Sequence, residues 1–250
     1  MNGATDNSVD SDQEDLRMRS TKNKQGWVLP YLDPFCKEFV DLMRQLPSSS
    51  PVADLGCGYG YTSLKLLEAG CSVLANDLDN DQLQELQQSV PADLSGRLTV
   101  MPGNCVELSF SDSSFKGILA ARWMHFLTSE EIIRSVLKRF YLWLEKGGVL
   151  CLTCNTLVHI ATPEAYEKYV EKKSSGDEWP GWLDKSQNHI RKHLVDNIPD
   201  IFYGFDVESL SREVTLAGFD VVKCEMYGST GVTKPWLEDN CIGILATKSR

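Results

Sequence analysis

Nowhere in this 250-residue chain does an apolar run approach the ~20 residues that span a bilayer, so no membrane span is expected. Basic charge is short as well: 25 Lys and Arg face 35 Asp and Glu, for a net charge of −10 at pH 7. An enzyme acting on nucleic acid offsets phosphate with a basic face, so tRNA and rRNA are disfavoured as partners. Histidine is scarce, with four copies to supply any imidazole base. No Gly-Lys-Ser or Gly-Lys-Thr occurs, which removes a P-loop, and there is no internal repeat or long low-complexity tract. Eight cysteines are scattered, several of them (Cys71, Cys151, Cys241) in apolar strand-like runs, which reads as reduced core thiols of a cytoplasmic protein. Cys151-Leu152-Thr153-Cys154 has zinc-like spacing, but no second Cys/His pair follows at finger-like spacing. Residues three apart on a strand also face opposite sides, so no metal is expected. Residues 1–26 are polar, with acids from Asp6 to Asp15 and then Arg17, Arg19, Lys22 and Lys24. They read as a disordered segment or a lid rather than a signal peptide.

What the chain does have is Val52-Ala53-Asp54-Leu55-Gly56-Cys57-Gly58-Tyr59-Gly60, an apolar strand ending in a glycine turn where a helix begins. The helix is expected to turn Leu64, Leu67 and the stem of Lys65 inward and to stop at Gly70. Gly56 and Gly58 can take positive φ and let the backbone approach a ligand closely. A dinucleotide fingerprint wants its third glycine five places after the first, but Tyr61 stands there and the third glycine is Gly60. Downstream, Cys71-Ser72-Val73-Leu74-Ala75 leads to Asn76-Asp77, an acid at a second strand end. Leu98 to Gly103 runs into Asn104-Cys105, and Leu144-Glu145-Lys146-Gly147-Gly148 reads as a hairpin entering another strand.

Asp54, Gly56, Gly58 and Gly60, followed in order by Asp77, Asn104-Cys105 and the Gly147-Gly148 hairpin, resemble the class I S-adenosylmethionine-dependent methyltransferases. The resemblance covers most of the chain. It implies a Rossmann-like α/β fold: a seven-stranded doubly wound sheet of order 3-2-1-4-5-7-6, strand seven antiparallel, with a helical insertion after strand five. It implies S-adenosylmethionine as cofactor and S-adenosylhomocysteine as product. Cofactor contacts are implied for Asp54, Gly56, Cys57 and Gly58 at the turn and for Asp77 and Leu78 at the ribose. Asn104 and Cys105 are implied at the adenine, and Ala121 and Arg122 beside the methionine end, mostly through backbone atoms. Asn104 replaces the family's usual Asp, but its side-chain oxygen can still accept from the adenine amino group. Lys116 stands where an Asp is usual before strand four.

The remaining pattern is one domain, residues 27–250, of alternating strands and helices. Asp33-Pro34 starts a helix with Phe35, Phe39, Val40 and Met43 inward; Asp79 with Gln82 and Asp206 open others, and Thr128 with Glu131 reads as a capping box. An insertion at about 156–203 holds a helix from Thr162-Pro163 toward Gly176 and then Trp179, Trp182, His189, His193 and Tyr203. In the resembling family such an insertion covers the substrate pocket. Its aromatics suit an apolar or aromatic substrate, or else dock the insertion on the body.

The chemistry implied is in-line displacement at an activated sulfonium methyl group, driven by proximity and desolvation, with no catalytic residue strictly required. If the acceptor is a hydroxyl, His125 in Arg122-Trp123-Met124-His125-Phe126 or His159 in Leu157-Val158-His159-Ile160 could act as base. His125 could equally pack at the start of the next helix. Trp123, Tyr31, His159 and Tyr203 are candidate walls of the substrate pocket. The family's Asn/Asp-Pro-Pro-Tyr marker for amino groups on bases or glutamine is absent after strand four. A small-molecule acceptor leads, with O-methylation slightly ahead of N- or C-methylation. A protein side chain or terminus is the enzyme alternative, and a non-catalytic cofactor-binding scaffold is the rival from another class.

Overall fold

The computed structural model describes residues 19–24, 27–187, 198–228 and 241–249, except for the side chains of Trp27 and His159. A short hairpin, β1 (Arg19–Ser20) and β2 (Trp27–Val28), precedes helix α1 (Pro34–Gln45). The body then alternates β3 (Val52–Leu55), α2 (Tyr61–Glu68), β4 (Val73–Asp77), α3 (Asn80–Ser89), a short α4 (Ala92–Ser95) and β5 (Leu98–Pro102). It continues through β6 (Phe115–Ala121), α5 (Glu130–Trp143) and β7 (Leu144–Asn155). Beyond β7 come α6 (Leu157–Ile160), α7 (Pro163–Ser174), β8 (Trp182–Asp184) and β9 (Ile201–Tyr203). Helix α8 (Val207–Leu216) and strands β10 (Asp220–Tyr227) and β11 (Cys241–Thr247) complete the described elements.

Seven strands form one sheet in the order β5-β4-β3-β6-β7-β11-β10. The pairs from β5 to β7 are parallel, and β11 runs antiparallel to both β7 and β10. Counted from β3, this is the order 3-2-1-4-5-7-6 with strand seven antiparallel that the sequence implies. Leu55 lies opposite Asn76 on one side and Ala120 on the other, so the carboxyl ends of β3, β4 and β6 align. Ligands of open α/β sheets bind at that edge.

Each sheet face is covered by helices, and the caps of α1, α3, α7 and α8 were legible. Asp33 accepts from Cys36 N at 2.8 Å, and Phe35, Phe39, Val40 and Met43 are buried against β6, β7 and β11. Asp79 and Thr162 cap α3 and α7, and Asp206 with Ser209 forms a full capping box on α8. Val136, Leu137, Phe140, Leu210 and Val214 cover the opposite face. Along β7 the side chains alternate, so Cys151 joins one core layer and Cys154 the other. All eight cysteines are free thiols. No helix among the described residues is long and apolar enough to cross a membrane.

Four local readings change. Helix α5 is capped by Ser129, whose hydroxyl accepts from Ile132 N at 3.3 Å, because a 3₁₀ turn at Met124–Phe126 delays the helix start past Thr128. Helix α2 buries Ser63, Leu66 and Leu67 while Leu64 and Lys65 are half-exposed, since Ser63 must face Asp54 across the turn. Lys116, the unusual residue at the start of β6, is buried, and its ammonium donates to the carbonyls of Met43 (3.2 Å) and Ser48 (3.4 Å). The insertion is not purely helical: β8 and β9 pair antiparallel, with Trp182 opposite Tyr203.

The insertion's aromatics dock it on the body. Trp179 stacks on Trp182 at 6.0 Å, and Tyr203 meets both rings edge-on at 5.0 Å and Phe205 at 4.8 Å. Arg134 and Arg212 lie over the Trp179 ring and both pair with the buried Glu213. Tyr169 and Lys173 of α7 each reach Asp206 Oδ2 at 2.5 Å. Burial works against the charge on Asp206, but the bonds from Lys173, Tyr169 and Ser209 outweigh it and hold the carboxyl down at about 2.

Candidate functional site

The β3–α2 turn folds as it does because glycine alone fits two of its positions. Gly56 has φ +74° and Gly58 φ +59°, where a Cβ is strained. A Cβ on Gly56 would also come within 2.5 Å of Trp123 Cδ1, and one on Gly58 within 2.6 Å of Val28 Cγ2. Trp123 is held against the turn by its indole N–H, which donates to Leu55 O at 2.6 Å. The turn's own amides are drawn to β4: Gly56 N and Cys57 N donate to Asn76 O, and Gly58 N donates to Asp77 Oδ2 at 2.8 Å.

Three carboxylates shape the electrostatics. Asp54 accepts from the Ser63 hydroxyl at 2.6 Å, yet burial dominates and pushes its carboxyl up to about 6, with the nearby Asp77 charge adding to the shift. Burial likewise raises Asp77, against the bonds it accepts from Asp79 N (2.9 Å), Gly58 N and Gln82 Nε2 (3.1 Å). Those three donors leave about one acceptor position open on Oδ2, so Asp77 can take one sugar hydroxyl without displacing a protein partner. Asp33 is spent on Cys36 N and on the Tyr227 hydroxyl at 3.0 Å.

A cavity of about 440 Å³ opens over these groups, within the ~300–1,000 Å³ of small-molecule sites. Asp54, Gly56, Cys57, Gly58, Asp77 and Leu78 line it, as do Asn104, Cys105, Ala121 and Arg122. Tyr31 and Trp123 form part of its wall. Asn104 spends its side-chain oxygen on Val106 N (3.1 Å) and its amide on Glu107 (3.2 Å), so it shapes the loop as well as facing the cavity.

Two expected residues lie elsewhere. His125 is buried away from the cavity lining, with Nε2 3.3 Å from Asn155 Nδ2 and its ring 4.1 Å from that of Phe126. It sits in a 3₁₀ turn beside the cavity-lining Trp123 and Phe126 without lining the cavity itself. Tyr203 is 1% exposed inside the docking aromatics and is not part of the pocket wall. His159 falls in α6, its side chain outside the described residues, as are His189 and His193 altogether.

Other groups line the cavity that sequence reasoning did not place there. Phe126, Leu127 and Ile132 supply its apolar side, and Pro199 is the one described residue of the insertion that reaches it. Thr21, Asn23, Val28 and Leu29 belong to the strap formed by β1, β2 and the segment leading to α1. The strap is tied to α3 by Arg19 to Glu85 (2.7 Å) and Lys22 to Glu85 (3.0 Å), and the Arg19 guanidinium lies 3.5 Å from the centre of the Tyr59 ring. Gln82 joins the two layers: its oxygen accepts from Lys22 N at 3.1 Å while its amide donates to Asp77. The signal for Gln82 was its place three residues after Asp79, but that spacing told of a cap and not of a relay.

Residues 52–148 match a family model described as a methyltransferase domain. Among curated relatives, a cypemycin N-terminal methyltransferase from a Streptomyces species is 33% identical over 104 residues, 41% of this chain and 41% of that protein. The chain thus aligns with about two-fifths of the length of this curated relative. An S-adenosylmethionine-dependent methyltransferase from Mesorhizobium loti superposes with a TM-score of 0.61 at 17% identity, covering 83% of this chain and 96% of the other. The 1,6-didemethyltoxoflavin-N1-methyltransferase of Burkholderia thailandensis, solved with its acceptor and S-adenosylhomocysteine, gives a TM-score of 0.59 at 17% identity over 87% and 79%.

Proposed function

Residues 52–148 carry a methyltransferase domain on the fold of the S-adenosylmethionine-dependent methyltransferases, and from that premise we propose that the protein methylates a small-molecule acceptor. The observation that carries this reading is the cavity itself. It joins the glycine turn, Asp77 and Asn104-Cys105 to an apolar wall of Trp123, Phe126 and Leu127 in one space. S-adenosylmethionine supplies, when bound, a methyl group already activated on a sulfonium. The chain's part is to hold and to exclude water. Gly56 and Gly58 let the backbone come close, Asp77 offers its remaining acceptor position to a ribose hydroxyl, and the strap with Val28 and Leu29 roofs the site. Such positioning and desolvation can supply most of the acceleration.

The cavity lining bears on the atom methylated. Oxygen is slightly favoured by the sequence, and a hydroxyl acceptor is helped by a base at its side. His125 lies off the cavity, and a neutral amine, already nucleophilic, needs no base at its side. We therefore place nitrogen ahead of oxygen. The relative acting as a cypemycin N-terminal methyltransferase and the toxoflavin-precursor N1-methyltransferase of similar fold support that order. The same curated relative is the observation that favours a peptide amino terminus as the second reading. A methyl-transfer screen with labelled cofactor over metabolite and protein extracts tests the proposal. Label in small amines supports it, label in protein supports the second reading, and no label in either overturns both in favour of a non-catalytic scaffold.

A further inference from the structure

Arg122 is the single cationic residue on the cavity wall among the described residues, and nothing in cofactor binding as drawn above uses its side chain. Its backbone holds the left-handed conformation, φ +66°, and its N–H is spent on Thr153 O at 2.7 Å. The amide implied to face the methionine end is therefore engaged within the sheet, and Arg122 contributes to the cavity lining through its remaining atoms. Its Nη1 is buried without a hydrogen-bond partner. A guanidinium stays charged, and a buried N–H of that charge left without a partner is costly. The nearby carboxylate on the same wall, Asp33, already accepts from Cys36 N and the Tyr227 hydroxyl.

Position in the sheet tells which half of the edge Arg122 belongs to. The glycine turn, Asp77 and Asn104-Cys105 follow β3, β4 and β5, so a cofactor laid over them occupies one half of the edge. Arg122 follows β6, on the other side of β3, and shares its wall with Tyr31 and Asp33 from the segment before α1. Tyr227, at the end of β10, closes that half from behind through its bond to Asp33. Trp123 and Phe126 add apolar surface beside it.

Resting on the methyltransferase reading, we propose that Arg122 anchors a carboxylate of the methyl acceptor, so that the substrate is an acid with an apolar or aromatic body carrying the nucleophile. A planar guanidinium matches a carboxylate through paired N–H donors, which makes it a specificity-determining residue and not a participant in methyl transfer.

Titration calorimetry of the full chain saturated with S-adenosylhomocysteine tests this, with phenylacetate and indole-3-acetate each compared with its amide. The expected result is at least tenfold tighter binding of the acids by the wild-type chain. Arg122→Gln should remove that preference. Arg122→Lys, which keeps the charge but not the fork, should retain part of it and guards against a folding defect in the Gln variant. Equal binding of acids and amides, or of neither, overturns the assignment. So does a tenfold or greater loss of S-adenosylhomocysteine affinity in Arg122→Gln, which would give the guanidinium to the cofactor's own carboxylate. A wild-type chain that takes up no S-adenosylhomocysteine would overturn the methyltransferase reading and this assignment together, an outcome visible before any acid is added.

Discussion

Asp54 and His125 show how one buried polar group comes to line the cavity while another packs away from it. The Asp54 carboxyl, raised to about 6 chiefly by burial, is costly to ionise in the folded protein. An acid raised on folding weakens stability as pH climbs from its unfolded value, about 4, through its folded one. Asp54→Asn, which keeps an acceptor for Ser63, should therefore gain on the wild type by on the order of 2–3 kcal/mol between pH 4 and pH 7 in urea unfolding. A stability difference that does not move with pH would contradict the burial argument. His125 has no place on the cavity, so His125→Ala should lower stability by about 1–3 kcal/mol through lost packing and its contact with Asn155. Its affinity for S-adenosylhomocysteine should stay that of the wild type; a variant of unchanged stability that loses turnover would restore the base reading. Both residues look alike in sequence, polar among apolar neighbours. Only their direction relative to the sheet edge separates them.

At the scale of elements, the strap lines the cavity while most of the described insertion packs away from it. The aromatic insertion reads as a substrate cap; Trp179 and Tyr203 are buried on the body, Phe202 lies in the insertion's own cluster, and Pro199 alone of its described residues reaches the cavity. The polar segment before α1 reads as disorder or a lid, and its described part, residues 19–24, lies across the site, bound to Glu85 and Tyr59. Charges at Arg19 and Lys22 were visible in the chain, but their partners on α3 are some sixty residues away in sequence and belong to tertiary structure alone. Exposed ion pairs of this kind contribute little singly and are screened by salt. Glu85→Ala should accordingly weaken S-adenosylhomocysteine binding a few-fold and flatten its dependence on salt between 50 and 500 mM. Unchanged affinity and unchanged salt dependence would mean that the strap does not cover the cofactor. The β3–α2 turn, by contrast, was legible because Gly56 and Gly58 answer a local backbone demand that no distant contact can alter.

For the whole molecule, strand order and the placing of the cavity followed from motif order, since Asp54, Asp77, Asn104-Cys105 and Ala121-Arg122 must all sit at one sheet edge to act together. They do, in a single cavity. The acceptor was not legible, because the residues proposed to face it, Tyr31, Trp123 and Arg122, come from separate segments that only the fold brings together. The central claim is that this edge holds S-adenosylmethionine. It is tested most directly by isothermal titration of the full chain with S-adenosylmethionine and S-adenosylhomocysteine, with Asp77→Ala alongside. The account predicts one molecule of either bound per chain, and a loss of about 1–3 kcal/mol in the variant, roughly five- to 150-fold in affinity. No heat from either compound at millimolar concentration, or wild-type affinity in Asp77→Ala, would contradict it.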